Sequence, residues 1–168
     1  MLDKKNNFSF NKTKKDFKQE KYSYVLSFGS NLGSRKKNLD KALSLLKDIV
    51  TIKNQTRILE TKPLKSKKYC TKDHKDYLNF LCEVTSSFDP PTLYENIVKI
   101  EDLIGHNRIR KWAPRKIDID ILLMASGEEK KFHQRQWLKF EDDNLSIPHY
   151  DLANRKFLLS LLNELFYP

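Results

Sequence analysis

Lys116-Ile-Asp-Ile-Asp-Ile-Leu-Leu-Met124 alternates isoleucine with aspartate from Ile117 to Ile121, and this stretch decides how the rest of the chain is read. Successive side chains of a β-strand point to opposite faces, so Ile117, Ile119 and Ile121 share one face and Asp118 and Asp120 the other. At roughly 3.3 Å per residue the two carboxylates leave the backbone about 6.6 Å apart on one side. Aspartate is disfavoured in strands, and neighbouring like charges repel. An acid pair in an isoleucine-rich strand therefore calls for cations. Carboxylate oxygens suit Mg²⁺, which usually keeps waters and substrate phosphate as its remaining ligands. The reading without function is a half-exposed strand with solvated acids.

Immediately upstream, His106-Asn-Arg-Ile-Arg-Lys-Trp-Ala-Pro-Arg115 places Arg108, Arg110, Lys111 and Arg115 within eight residues. A basic run is usually a solvated face. Next to an acid pair it gains meaning, because arginine grips phosphate oxygens through paired N–H groups. Carboxylate-held magnesium and a set of arginines together surround a polyphosphate, which is what phosphoryl transfer needs. Trp112 stacks on a flat heterocycle or packs beneath the loop.

Working further outward, Pro90-Pro91 opens a helix with the stripe Leu93, Ile97, Ile100 and Ile104, and Gly105 closes it. Before it, Tyr77–Ser86 alternates, with Leu78, Phe80, Cys82 and Val84 on one face and Tyr77, Asn79, Leu81 and Glu83 on the other. Lys62–Lys75 is a lysine-rich loop, and Ile49–Glu60 reads as one strand weakened by polar residues. Leu39, Ala42, Leu43 and Leu46 give Arg35–Asp48 a helical period. Tyr22–Phe28 is β-rich and runs into the turn Gly29-Ser-Asn-Leu-Gly33. That turn suits close approach to a ligand but is no P-loop, since no Lys-Ser/Thr follows its second glycine. Ala125–Asn144 reads as irregular, and Arg155–Leu165 as a final amphipathic helix.

The order β-α-β-β-α-β predicts an α+β, ferredoxin-like fold. Its single antiparallel sheet carries both helices on one face, which leaves the other for loops and a ligand, and a helical extension ends the chain. The 168 residues fit one domain, read as 22–168 behind a basic extension, 1–21, that holds seven lysines and no arginine. The extension lacks the apolar stretch of a secretory signal. No apolar run approaches the roughly 18–20 residues of a membrane span. Two cysteines, Cys70 and Cys82, exclude a disulfide framework and fit a reducing compartment such as the cytoplasm. Cys70 and His74 lack two further ligands for a zinc site. A net charge of +10 expects an anionic partner without saying which. An RNA-binding module would share that charge, but its sheet should offer exposed aromatics where this one offers two aspartates.

Four motifs together resemble one family. In its order stand Gly29-Ser-Asn-Leu32, Asp76-Tyr-Leu-Asn79, Trp112-Ala-Pro-Arg-Lys-Ile-Asp-Ile-Asp120 and Ile147-Pro-His-Tyr-Asp-Leu-Ala-Asn-Arg-Lys-Phe157. Across about Tyr24 to Phe157 the chain is similar to the 6-hydroxymethyl-7,8-dihydropterin pyrophosphokinases of folate biosynthesis. The resemblance implies a ferredoxin-like enzyme that uses two Mg²⁺ ions to move the β,γ-diphosphate of ATP onto the pterin hydroxymethyl group. It implies that Asp118 and Asp120 hold both ions, and that Arg108 and Arg115 act on the triphosphate. ATP would be held by Glu101, Arg110, Lys111, His149, Tyr150 and Arg155. The pterin would lie between Trp112 and Phe157, with Asn79 and Thr61 on its polar edge and Leu64 and Tyr77 as walls. ATP and the pterin would be its partners, with no nucleic acid and no membrane. Fusion to, or association with, another folate-pathway enzyme is a further implication. The chain departs from the pattern at His106 and Lys111, where arginine is usual, and its loop before Trp112 is slightly shorter; a catalytically degenerate relative is the alternative this raises.

Overall fold

The computed structural model describes residues 21–64, 71, 73–105, 113–127, 131 and 134–167. Nearly all of the basic extension therefore lies outside the described residues. In chain order the elements are β1 (Tyr22–Ser30), α1 (Arg35–Lys47), β2 (Thr51–Gln55), β3 (Leu59–Thr61), β4 (Tyr77–Ser86), α2 (Pro90–Ile104) and β5 (Asp118–Ser126). They are followed by β6 (Gln136–Leu138), β7 (Phe140–Glu141), β8 (Ser146–Ile147), a 3₁₀ turn (Leu152–Asn154) and α3 (Lys156–Phe166). The main sheet runs β2-β4-β1-β5-β6, with β3 also paired to β4, and every pairing is antiparallel. The α+β class and the antiparallel sheet follow the sequence reading, whereas three strands rather than two separate α1 from α2. No helix among the described residues is long and apolar enough to cross a membrane.

One face of the sheet holds the larger core. Tyr24, Leu26 and Phe28 of β1, Phe80, Cys82 and Val84 of β4, and Ile119 and Ile121 of β5 are buried there. They meet Leu39, Ala42 and Leu46 of α1 and Leu93, Ile97, Ile100 and Ile104 of α2. Phe28 and Phe80 stack with ring centroids 4.5 Å apart. Asp89 caps α2 by accepting the Thr92 N–H at 3.0 Å, and Gly105 ends it at a positive φ of 93°, a backbone state glycine adopts without a Cβ clash.

The opposite face is not left to loops and ligand alone. Leu158, Leu161 and Leu165 of α3 cover Val25, Leu81 and Leu122, so a third helix occupies half of it. A register shift between Val25 and Leu26, opposite Leu123 and Ile121, makes room for this. The bulge turns Leu122 and Leu123 to the α3 side, and the isoleucine spacing of two becomes three before Met124 rejoins the larger core. Three further differences from the sequence reading have local causes. The strand expected over Ile49–Glu60 is two short strands, because Thr56 donates its N–H to the Leu81 carbonyl at 3.0 Å while its Oγ1 accepts the Leu81 N–H at 3.0 Å. That side chain replaces the backbone acceptor a continuous ladder would use. Within the segment read as irregular, Gln136–Leu138 pairs with Met124–Ser126, and Phe140–Glu141 pairs with Ser146–Ile147; runs this short show no period.

Candidate functional site

The uncovered half of that face is the floor of a cleft. Beyond Val25, β1 turns Ser27 and Gly29 to this side; beyond Leu81, β4 turns Asn79 and Tyr77; and β5 turns Asp120 and Asp118. The registers line these up. Ser27 faces Asp120, and Gly29 faces Asn79 on one side and Asp118 on the other. With strands about 4.8 Å apart, Asn79 and Asp118 stand about 10 Å from each other with a glycine between them. A Cβ at Gly29 would come within 3.2 Å of Asn79 Oδ1 and 3.6 Å of the Tyr77 ring. Glycine keeps this strip of floor open.

At one end of the cleft, Asn79 Nδ2 donates to Thr61 Oγ1 at 2.8 Å, and Tyr77, Leu64 and Phe157 add apolar wall. The Asn79 side chain is thus held in one orientation, with its carboxamide oxygen near Gly29. Burial raises the Tyr77 phenol above its ordinary range, so it stays protonated. This end has the shape and polarity for a flat heterocycle.

At the other end, Arg115 Nη1 contacts Asp118 Oδ1 at 2.5 Å. Asp120 has no such close partner among the described residues; the Nε2 of His149 lies 3.8 Å from its Oδ1. Burial first, then the Asp118 charge, pushes the Asp120 carboxyl up to about 7. His149 is oriented by its own turn. The Asp151 N–H donates to His149 Nδ1 at 3.2 Å, which leaves the proton on Nε2, facing the acid pair. Desolvation, followed by Arg155, lowers the His149 pKa and keeps the ring neutral. Arg155 is aimed into the cleft by Asp151, which accepts from its Nε at 2.6 Å. Tyr150 stacks on His149 at 4.5 Å and is largely exposed at the rim.

The structure thus brings together Arg115, Asp118, Asp120, His149, Tyr150, Arg155, Thr61, Leu64, Tyr77, Asn79 and Phe157. Glu101 is placed elsewhere. It is buried on α2, on the helical side of the sheet, and accepts the Ile119 N–H at 2.7 Å. From there it acts on the acid pair through its charge, helping to raise Asp120. Arg108, Arg110, Lys111 and Trp112 lie outside the described residues. The sequence reading missed Ser27, Lys62, Thr71 and His74, which also line the cleft. Strand alternation in β1 carried the signal for Ser27. The other three sit in a loop without a period, where only tertiary packing brings them in.

Two carboxylates are few for a metal site by themselves, and no cluster of three or more acidic, histidine or cysteine ligands occurs among the described residues. They suit magnesium nonetheless, which takes one or two protein carboxylates and completes its shell with water and phosphate. The raised Asp120 pKa marks an uncompensated charge of the kind a divalent ion relieves. An apolar, amide-edged pocket facing acids and cations across one glycine has the layout that group transfer between a flat heterocycle and a metal-chelated polyphosphate would need.

Comparison with known proteins narrows that class. The family model for 7,8-dihydro-6-hydroxymethylpterin-pyrophosphokinase matches residues 25–167, and the chain belongs to this family. It is 31% identical over 140 residues to the 2-amino-4-hydroxy-6-hydroxymethyldihydropteridine pyrophosphokinase of Haemophilus influenzae, covering 83% of this chain and 79% of the relative. The Aquifex aeolicus protein of the same name is 35% identical over 140 residues, covering 83% and 78%. A folate synthesis bifunctional protein of Chlamydia trachomatis is 34% identical over 142 residues, which span 83% of this chain but 29% of that larger protein.

Proposed function

We propose that this protein transfers the β,γ-diphosphate of ATP to the hydroxymethyl group of 6-hydroxymethyl-7,8-dihydropterin, releasing AMP in folate synthesis. The observation that carries the reading is the single cleft with Asn79 and Thr61 at one end and Asp118 and Asp120 at the other. The pterin lies over Tyr77 against Phe157, with its amide edge on Asn79. Its hydroxymethyl group then extends across Gly29 toward the acids. ATP enters from the His149–Arg155 side, where a neutral Nε2–H and a guanidinium are held ready for phosphate oxygens.

Asp118 and Asp120 would hold a pair of magnesium ions, and the chemistry these would supply is charge neutralisation of the triphosphate and a lowered pKa for a bound hydroxyl. The chain's own groups do the rest. The cleft aligns the hydroxymethyl oxygen with the β-phosphorus; the new O–P bond forms there as the bond to the bridging α-phosphate oxygen breaks, the hydroxyl proton passes to water, and AMP departs. Arg115 is close enough to Asp118 to reach the charge that builds on the transferred group. No described side chain is placed as a dedicated general base, so alignment and electrostatic stabilisation carry the rate. By the family resemblance, Arg108, Arg110 and Lys111 would supply further cations for the triphosphate and Trp112 would be the aromatic partner of Phe157 against the pterin. Glu101 serves the nucleotide side by supporting β5 from behind. The enzyme works in the cytoplasm on this reading, in keeping with the free thiol of buried Cys82.

The test is AMP release in a mixture of the protein, ATP, magnesium and hydroxymethyl-dihydropterin. Wild-type protein should produce AMP only with the pterin present, and chelation should stop it. Asp118→Ala should fall to background while its circular dichroism stays native. A wild-type chain without AMP release, or an Asp118→Ala variant with near-normal release, would end the proposal.

A further inference from the structure

We infer that Asn31 is the positioning residue for Arg115, the group through which the β1 turn acts on the reaction; this rests on the proposed function. The side chain of Asn31 is 1% exposed, and a buried carboxamide is costly unless its polar atoms are paired. Its backbone N–H donates to the Arg115 carbonyl at 3.0 Å, and its Oδ1 accepts the Arg115 N–H at 2.7 Å. Its Nδ2 donates to the Lys75 carbonyl at 3.3 Å. One residue thereby holds the peptide groups on both sides of Arg115 and ties them to the segment that leads into Tyr77.

The location makes this pairing consequential. The β1–β5 ladder begins at the Gly29–Asp118 pair, so Arg115 stands three residues outside it and takes no orientation from the sheet. The direction in which its side chain leaves the backbone is set by the two bonds to Asn31. From there its Nη1 reaches Asp118 Oδ1. The carboxamide's separate oxygen and NH₂ group let it serve Arg115 as acceptor and Lys75 as donor at once. Without it, Arg115 keeps the backbone bond to its carbonyl but loses the one that fixes its N–H, and displacements of about 1 Å in a reacting constellation cost on the order of 100-fold in rate.

A double-mutant cycle in the AMP-release assay decides the matter, using wild type, Asn31→Ala, Arg115→Ala and the double variant. Arg115→Ala should lower kcat by at least about tenfold. Asn31→Ala should lower kcat by roughly 10–100-fold, leave the pterin dissociation constant within about threefold, and cost less than about threefold once Arg115 is already alanine. Equal losses in both backgrounds would mean that Asn31 acts independently of Arg115, and the inference would fall while the proposed function stood. A loss confined to KM would also overturn it. Unchanged kcat in Arg115→Ala, or a wild type that releases no AMP, would remove the role Asn31 is said to support. Should Asn31→Ala fail to fold, Asn31→Ser enters the same cycle under the same criteria.

Discussion

Replacing Asp120 by asparagine should make the metal-free protein more stable and the enzyme inactive. Burial and the neighbouring Asp118 carboxylate raise the Asp120 pKa from its ordinary 3.8 to about 7. Such a rise corresponds to a gross destabilisation of about 4 kcal/mol when the group is ionised. About a third of the Asp120 side-chain surface remains open to the cleft, at 32%, so solvent screening brings the figure to roughly 1–2 kcal/mol. The sign follows from linkage. A carboxyl whose folded pKa is raised costs nothing below its unfolded value, where both states are protonated. The cost grows as pH climbs from 3.8 toward 7 and is complete above it. At pH 8 without metal, Asp120→Asn should therefore melt about 2–8 °C above wild type, given about 2–4 °C per kcal/mol for a domain of this size. At pH 4 the two curves should coincide. Adding magnesium with α,β-methylene-ATP at about 100 times its dissociation constant should stabilise wild type by about 2.7 kcal/mol and the variant far less, reversing the order. Differential scanning calorimetry at both pH values, with and without that ligand, reads all four outcomes. An asparagine variant that melts at or below wild type at pH 8, or that gains equally from ligand, would refute the reasoning.

Other substitutions test the remaining parts of the site. Gly29→Ala places a methyl group 3.2 Å from Asn79 Oδ1; it should raise the pterin KM several-fold while melting within a few degrees of wild type, as steady-state kinetics and calorimetry will report. His149, kept neutral by desolvation and Arg155, loses its Nδ1 acceptor on protonation. Its stabilising contribution is whole above its ordinary value of 6.5 and is lost as pH falls through the lowered folded value. An NMR titration should place its midpoint below 6.5, and a midpoint above that contradicts the assignment. Leu161→Ala empties a fully buried position between α3 and the sheet, which should cost about 2–5 kcal/mol; thermal denaturation measures it, and a loss below ~1 kcal/mol would mean that α3 is not a core element.

The chain by itself determined whatever rests on neighbours two to four residues apart. The alternation of Ile117, Asp118, Ile119 and Asp120 sorted β5 into a core face and an acid face, and Tyr77–Ser86 was divided equally well, because strand side chains alternate wherever the strand lies. The helix stripes were legible for the same reason, and Pro90 and Gly105 marked the start and end of α2. Tertiary structure decided what depends on distant partners. Nothing local shows that Thr56 breaks a strand by bonding Leu81, that a bulge opposite Val25 turns Leu122 toward α3, or that Glu101 accepts the Ile119 N–H from the helical side of the sheet. The turn at Gly29–Gly33 reads in sequence as a place for close approach to a ligand, and only folding brings its Asn31 against Arg115, 84 residues away. Local periodicity assigns a side chain to a face; only chain closure determines what that face meets.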